Sequence, residues 1–165
     1  MNINSLKNDY MFNIWMNNLM KKSIIIIIML IIALICFQLI TYKDYEAEVI
    51  FHTKSENISF YCNIADTSSL RQKGLLDVNH LPDDRGMLFT YNQPTVVTYT
   101  MNNMLIPLDI IFINAQQQVI HIVEADIGME NISSEGPVLY VVEINKGLTS
   151  KFDIQIDTTM EFIEV

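Results

Sequence analysis

The run from Ile24 to Phe37, fourteen apolar residues without a break and entered directly from Lys21-Lys22-Ser23, restricts this chain more than any other feature. A buried helix of a globular core is no serious rival for a segment made so largely of isoleucine. β-branched residues are poor helix formers in water, but in lipid a backbone must satisfy its own hydrogen bonds, and within one segment only a helix does so. Continued through Gln38, Leu39 and Ile40, the run has 17 residues. At ~1.5 Å per residue that is about 25 Å, the short end of what crosses a bilayer. The sequence therefore predicts a transmembrane signal-anchor over 24–40.

Lys21 and Lys22 stand before the run, and Lys43, Asp44, Glu46 and Glu48 follow it. The positive-inside bias keeps 1–23 as a cytoplasmic tail and exports everything after Ile40. The expected protein is thus a single-pass protein of the inner membrane, with a linker over 41–47 and one periplasmic or extracellular domain over 48–165. Secretion after signal cleavage is the alternative, but no Ala-x-Ala-like site follows the apolar core, so retention is expected. Phe12, Trp15, Met16 and Leu19 have helical spacing and suit a membrane interface, while a start at Met20 would read as an ordinary export signal.

The exported part has room for one hydrophobic core and not for two. Ten Lys plus Arg face 19 Asp plus Glu, a formal charge of -9, and setting aside Lys7, Lys21, Lys22 and Asp9 leaves -11 on the exported part. That balance repels nucleic acid and makes a polyanionic substrate a poor fit. The two cysteines, Cys36 and Cys62, fall in different solvents under this reading, which excludes an internal disulfide and a thiolate metal site. His52, His80 and His121 share no ligand spacing, and no glycine-rich phosphate loop or nucleophile elbow occurs. No metal and no cofactor are expected.

Strands are predicted at 49–52, 58–64, 86–90, 96–100, 108–113, 119–125, 138–144 and 160–165, with short helices at 68–73, after a cap at Asp66 or Thr67, and at 148–152. Turn signals such as Pro82-Asp83-Asp84 and Asn92-Gln93-Pro94 separate them. The expected fold is mainly β, a compact antiparallel barrel-like or sandwich domain with one or two short helices, behind one N-terminal transmembrane helix.

Two carboxylates stand out on apolar strands. In Leu108-Asp109-Ile110-Ile111-Phe112-Ile113 both strand faces look buried, so Asp109 needs a cation or several donors. Arg71, Arg85 and Asn103 are its candidate partners. Glu143 alternates with Leu139 and Val141 and poses the same problem, with Lys73, Arg71 or Lys146 available. Asp109 and Glu143 are the candidates for acid–base catalysis, with Arg71 as an anion clamp. Whether the two carboxylates lie close enough to act as a pair is not legible from their spacing.

Several motifs occur in order: Ala65-Asp66-Thr67, Arg71-Gln72-Lys73-Gly74-Leu75-Leu76, Gly86-Met87-Leu88-Phe89, Tyr99-Thr100-Met101-Asn102-Asn103-Met104-Leu105-Ile106-Pro107-Leu108-Asp109, the strand around His121, and Leu139 to Ile144 followed by Gly147. With these, the stretch from about Glu48 to Val165 resembles a widespread prokaryotic family, domain of unknown function 192. The resemblance implies a compact, mostly β domain, often exported, without an established activity. It places Met101, Asn103, Pro107 and Asp109 together and matches Arg71 and Glu143 as further polar positions. Met101, Asn103 and Asp109 are accordingly the expected ligand-binding residues. The chain departs from the family pattern at Thr100, where tryptophan is usual, and at Met104, where threonine is usual.

Two functions are compatible with this reading. One is a membrane-anchored envelope domain that binds a small ligand or a protein through the Asn103 loop. The other is an enzyme acting on an envelope component with Asp109 or Glu143.

Overall fold

The computed structural model describes residues 15–16, 20–34 and 45–165. Residues 20–34 are helical, a described stretch of about 22 Å at ~1.5 Å per residue against the ~30 Å of a bilayer's hydrocarbon core. Among the described residues no helix is long and apolar enough to cross a membrane. This corrects the expected span over 24–40, whose last part, 35–40, lies outside the described residues. The expectations that rested on it fall too: the single-pass anchor, the membrane as partner, the inner-membrane location and the role as an anchored envelope module. Most of the expected tail before residue 20 and the stretch 41–44 of the expected linker also lie outside the described residues.

Tyr45–Val165 is a compact unit of its own. Its elements are β1 (Ala47–His52), β2 (Asn57–Ala65), α1 (Ser68–Lys73), β3 (Arg85–Thr95), β4 (Thr98–Tyr99), β5 (Leu108–Ile113), β6 (Val119–Ala125), β7 (Ile132–Ser133), β8 (Val138–Asn145), α2 (Leu148–Lys151) and β9 (Thr159–Glu164). Seven strands make one sheet in the order β6-β5-β8-β3-β2-β1-β9, and β4 pairs with β7 apart from it. The sheet curls into a half-barrel, and a bridge between Gln118 and Thr159 brings its two outer strands together at one end.

The sheet is mixed, which corrects the antiparallel expectation. β2 and β3 run parallel, pairing Tyr61 with Arg85 through Ala65 with Phe89. Parallel neighbours need a crossover, and the stretch from Asp66 to Asp84, carrying α1, supplies it. α1 begins where the Thr67 side chain accepts the Leu70 amide at 3.2 Å. It stops at Gly74, whose φ of 46° suits glycine and whose amide donates to the Leu70 carbonyl.

β5 is buried at all six positions because the sheet is covered on both faces. One core holds Val49, Phe51, Phe60, Ile111, Val142 and Ile144. The other holds Phe89, Met101, Leu108, Ile110, Phe112 and Val141. Period-2 alternation therefore sends Asp109 to the first core and Glu143 to the second, although the strands that carry them are neighbours. Burying an aromatic such as Phe51 or Phe112 completely stabilises the fold by roughly 1.5–3 kcal/mol each.

Cys62 lies wholly buried in the first core, with its thiol toward the Phe60 carbonyl at 3.8 Å. Burial pushes the thiol up to about 12. A Cys36→Ser protein is expected to take no thiol label at neutral pH until it is unfolded in urea, when one equivalent reacts. Prompt labelling of the native protein would contradict this packing.

Candidate functional site

A cleft of about 520 Å³ lies on the second face of the sheet, against α1 and the 98–104 loop. Its lining includes Arg71, Lys73, Tyr91, Tyr99, Asn103 and Glu143. Each arrives by a different local device. Arg71 sits in the last turn of α1, and its Nη1 donates to the carbonyls of Asp66 at 2.7 Å and Thr90 at 2.8 Å. Its guanidinium also lies over the Tyr91 ring, 4.9 Å from the centroid. The side chain is therefore held in place against the middle of β3 rather than free in solvent.

Tyr91 and Tyr99 join hydroxyl to hydroxyl at 2.9 Å. Tyr99 is gripped edge-on by Phe89 and Phe112, with centroids 5.4 and 5.9 Å away. Burial raises both phenols above their ordinary range, so both stay protonated and can donate. Asn103 adopts φ 64°, a left-handed position that asparagine tolerates, and this tightens the turn in which the Met104 amide donates to the Met101 carbonyl. Asn102 is tied to Glu130 through its side-chain amide.

Glu143 comes from the middle of β8, flanked by Met87 on β3 and Ile110 on β5. It is 5% exposed, and no hydrogen bond or ion pair reaches its carboxyl from any described residue; because no buried side-chain oxygen among the described residues lacks a partner, what remains exposed of the residue is its carboxyl, open to the cleft. Burial alone, with no donor to offset it, raises its pKa from 4.5 to about 8. At neutral pH the group is therefore mostly a carboxylic acid able to donate a proton. It is close enough to the tyrosines that its charge would raise both of them.

Of the residues singled out in the sequence, the cleft brings together Arg71, Asn103 and Glu143. Met101 is 1% exposed and packs in the core behind the loop, where its amide donates to the Met129 carbonyl. Asp109 lies on the opposite sheet face. Its Oδ1 accepts the Gly147 amide at 3.0 Å, and its Oδ2 accepts the Thr149 amide at 2.9 Å and the Thr149 hydroxyl at 2.7 Å. Neither Arg71, Arg85 nor Asn103 is its partner. The carboxyl caps α2, whose own cap residue, Gly147, has no side chain to offer.

Tyr91, Thr98 and Ser68 went unnoticed in the sequence. β3 continues past its expected end at Thr90 to Thr95 through a register shift against β8, and that extension carries Tyr91 into the cleft. An aromatic on each side of Pro94, which lies within β3 and not in the expected turn, was the available signal. The two departures from the family pattern, Thr100 and Met104, both fall on the cleft wall. Elsewhere, Ser134 is consumed by the Val97 amide and the Gly136 carbonyl. His121 stacks on Phe112, and among the described residues no group of His, Cys, Asp and Glu could hold a metal ion.

The chain is similar to a crystallised protein of unknown function from Novosphingobium aromaticivorans DSM 12444, at 34% identity over 69% of this chain and 83% of that one, with a TM-score of 0.67. It is also similar to a protein from Sinorhizobium meliloti 1021 described as a candidate transcription regulator, at 29% identity over 73% of this chain and 97% of that one, with a TM-score of 0.68. No curated protein matches it. A family model described as an uncharacterised ACR matches residues 49–162, well over half of the sequence, and the chain belongs to that family, domain of unknown function 192.

Proposed function

We propose that this protein is an enzyme that carries out acid–base chemistry on a small polar molecule in the cleft, with Glu143 as proton donor. One observation carries the reading: a buried carboxyl without a protein partner faces a cleft of ligand size and stays protonated at neutral pH. An unpaired buried carboxyl costs stability, and groups held in that condition are concentrated where their proton is used. Asp109 takes no part in this chemistry, because its oxygens already serve α2. The regulator description of the Sinorhizobium protein does not favour a DNA-binding role here, since a chain of charge -9 is repelled by phosphates.

The test is turnover of a panel of small hydroxylated metabolites by the purified full-length chain, followed by mass spectrometry. Glu143→Gln is expected to reduce the rate about 100-fold or more while the fold persists. Activity should also decline as the pH passes about 8, where the donor loses its proton. No turnover on any member of the panel, or turnover indifferent to the substitution, sinks the reading.

The same group makes stability depend on pH, with a definite sign. The folded-state pKa lies above 4.5, so between pH 4.5 and about 8 the native chain keeps a proton that the unfolded chain has released. Stability is complete below that window and falls as pH rises through it, by an amount on the order of a few kcal/mol. Glu143→Gln should flatten the curve and be the more stable protein at pH 9 in urea unfolding. An unchanged slope would show that Glu143 is not the group responsible.

A further inference from the structure

We propose that the ligand of this cleft is a hydroxylated carboxylate of about monosaccharide size, a sugar acid or similar hydroxy acid, whose carboxylate docks on Arg71 beside Lys73. The proposal rests on the reading of the cleft as the reaction site and adds the class of molecule that enters it.

Charge within the cleft runs against that of the chain. The protein carries -9, yet its cleft is lined by two cations, Arg71 and Lys73, and by a single acid, Glu143. Both hydrogen bonds of Arg71 leave from Nη1 and run to backbone carbonyls. Among the described residues, the Nε and Nη2 edge of this anchored guanidinium has no acceptor, and Lys73 has no ion pair. That planar edge offers two parallel N–H donors, which match the two oxygens of a carboxylate. Because the plane is already fixed by Asp66 and Thr90, little side-chain freedom remains to be lost on binding.

The rest of the wall suits hydroxyl groups. Tyr91, Tyr99, Thr98 and Asn103 contribute donors and acceptors over the aromatic base of Phe89, and Glu143 completes the set from the floor. An apolar ligand would leave these groups unpaired, and a neutral sugar would leave the guanidinium edge unused.

The decisive experiment titrates ¹⁵N-labelled full-length protein with glucuronate, glucose and glucose 6-phosphate and follows the backbone amides. Glucuronate is expected to bind saturably and to shift residues 71–74 and 98–104, whereas glucose binds at least about 10-fold more weakly, equivalent to ~1.4 kcal/mol. Arg71→Gln and Lys73→Glu should each weaken glucuronate by about 10-fold. Lys73 is exposed and its side chain makes no hydrogen bond or ion pair with any described residue, so its variant remains informative even if Arg71→Gln fails to fold. Equal binding of glucose, no saturable binding of glucuronate, or shifts located elsewhere would overturn the proposal. Tighter binding of glucose 6-phosphate would assign the cations to a phosphate and overturn the carboxylate. Glu143→Gln separates the two readings: it should cut turnover about 100-fold or more, while glucuronate still binds saturably and loses at most about 10-fold in affinity, because the amide keeps a hydrogen-bonding group at the floor and the Arg71 contact is untouched. Binding without any turnover would retire the enzyme alone.

Discussion

Asp109→Ala is expected to destabilise the domain by about 3–5 kcal/mol, because each buried N–H stripped of its acceptor costs roughly 1–3 kcal/mol. Two such groups are at stake, the amides of Gly147 and Thr149, together with the Thr149 hydroxyl. They open a helix of only four residues that has no cap of its own. Water cannot replace the lost oxygens, since Asp109 is fully buried and Thr149 is 3% exposed. Asp109→Asn keeps the shape and one acceptor but turns an amide NH₂ toward a donor, so it should show about half of the loss. A domain stable by about 5–15 kcal/mol would survive either change only narrowly. Urea unfolding reads the effect as a lower midpoint with an unchanged slope. If Asp109→Asn instead left stability intact and removed turnover, the carboxyl would belong to the chemistry and not to α2.

The second large effect is expected at Gly86, in β3 between Cys62 on β2 and Ile144 on β8. A Cβ there would stand 2.6 Å from the Glu143 carbonyl, 3.0 Å from Ile144 Cγ2 and 3.1 Å from Cys62 Sγ. The two side chains can give way, but the carbonyl belongs to a central strand and cannot move without carrying β8 with it. Gly86→Ala should therefore cost about 3 kcal/mol, at the upper end of overpacking penalties. It should also disturb Glu143, whose backbone is the atom struck. Adding Cys62→Ala removes the sulfur overlap and leaves the carbonyl overlap, so no recovery of the melting temperature is expected. Full recovery would place the conflict in the side chains and absolve the strand.

These two positions show how differently the parts of the molecule announce themselves. The strands at 108–113 and 119–125 and the helix at 68–73 coincide with the structure residue for residue, because period-2 alternation, turn residues and the Thr67 cap are local signals. The bend of β3 beyond Thr90 and the two-residue strand β7 carry no such signal, and Tyr91 was missed with the first of them. The parallel pairing of β2 and β3 was missed for a related reason. Six residues of helix look like an incident in a loop, and nothing in their composition marks them as a crossover. The apolar run over 24–40 misled in the other direction, since composition alone promised a span that no described helix is long enough to make.

At the site, residue chemistry was legible and geometry was not. That Asp109 and Glu143 each needed an explanation follows from their apolar neighbours in the chain. That one is satisfied by amides 38 and 40 residues downstream while the other faces a cleft without a partner among the described residues follows from which sheet face each strand presents. Alternation tells a strand's two faces apart but cannot say what covers either one, because the covering elements come from distant sequence. Strand positions, the cap of α1 and the burden of two buried carboxyls were thus properties of the chain, set by short-range sterics and hydrophobicity. Which carboxyl became structural and which stayed available was settled by the packing of α2 and the 98–104 loop on opposite sides of one curled sheet.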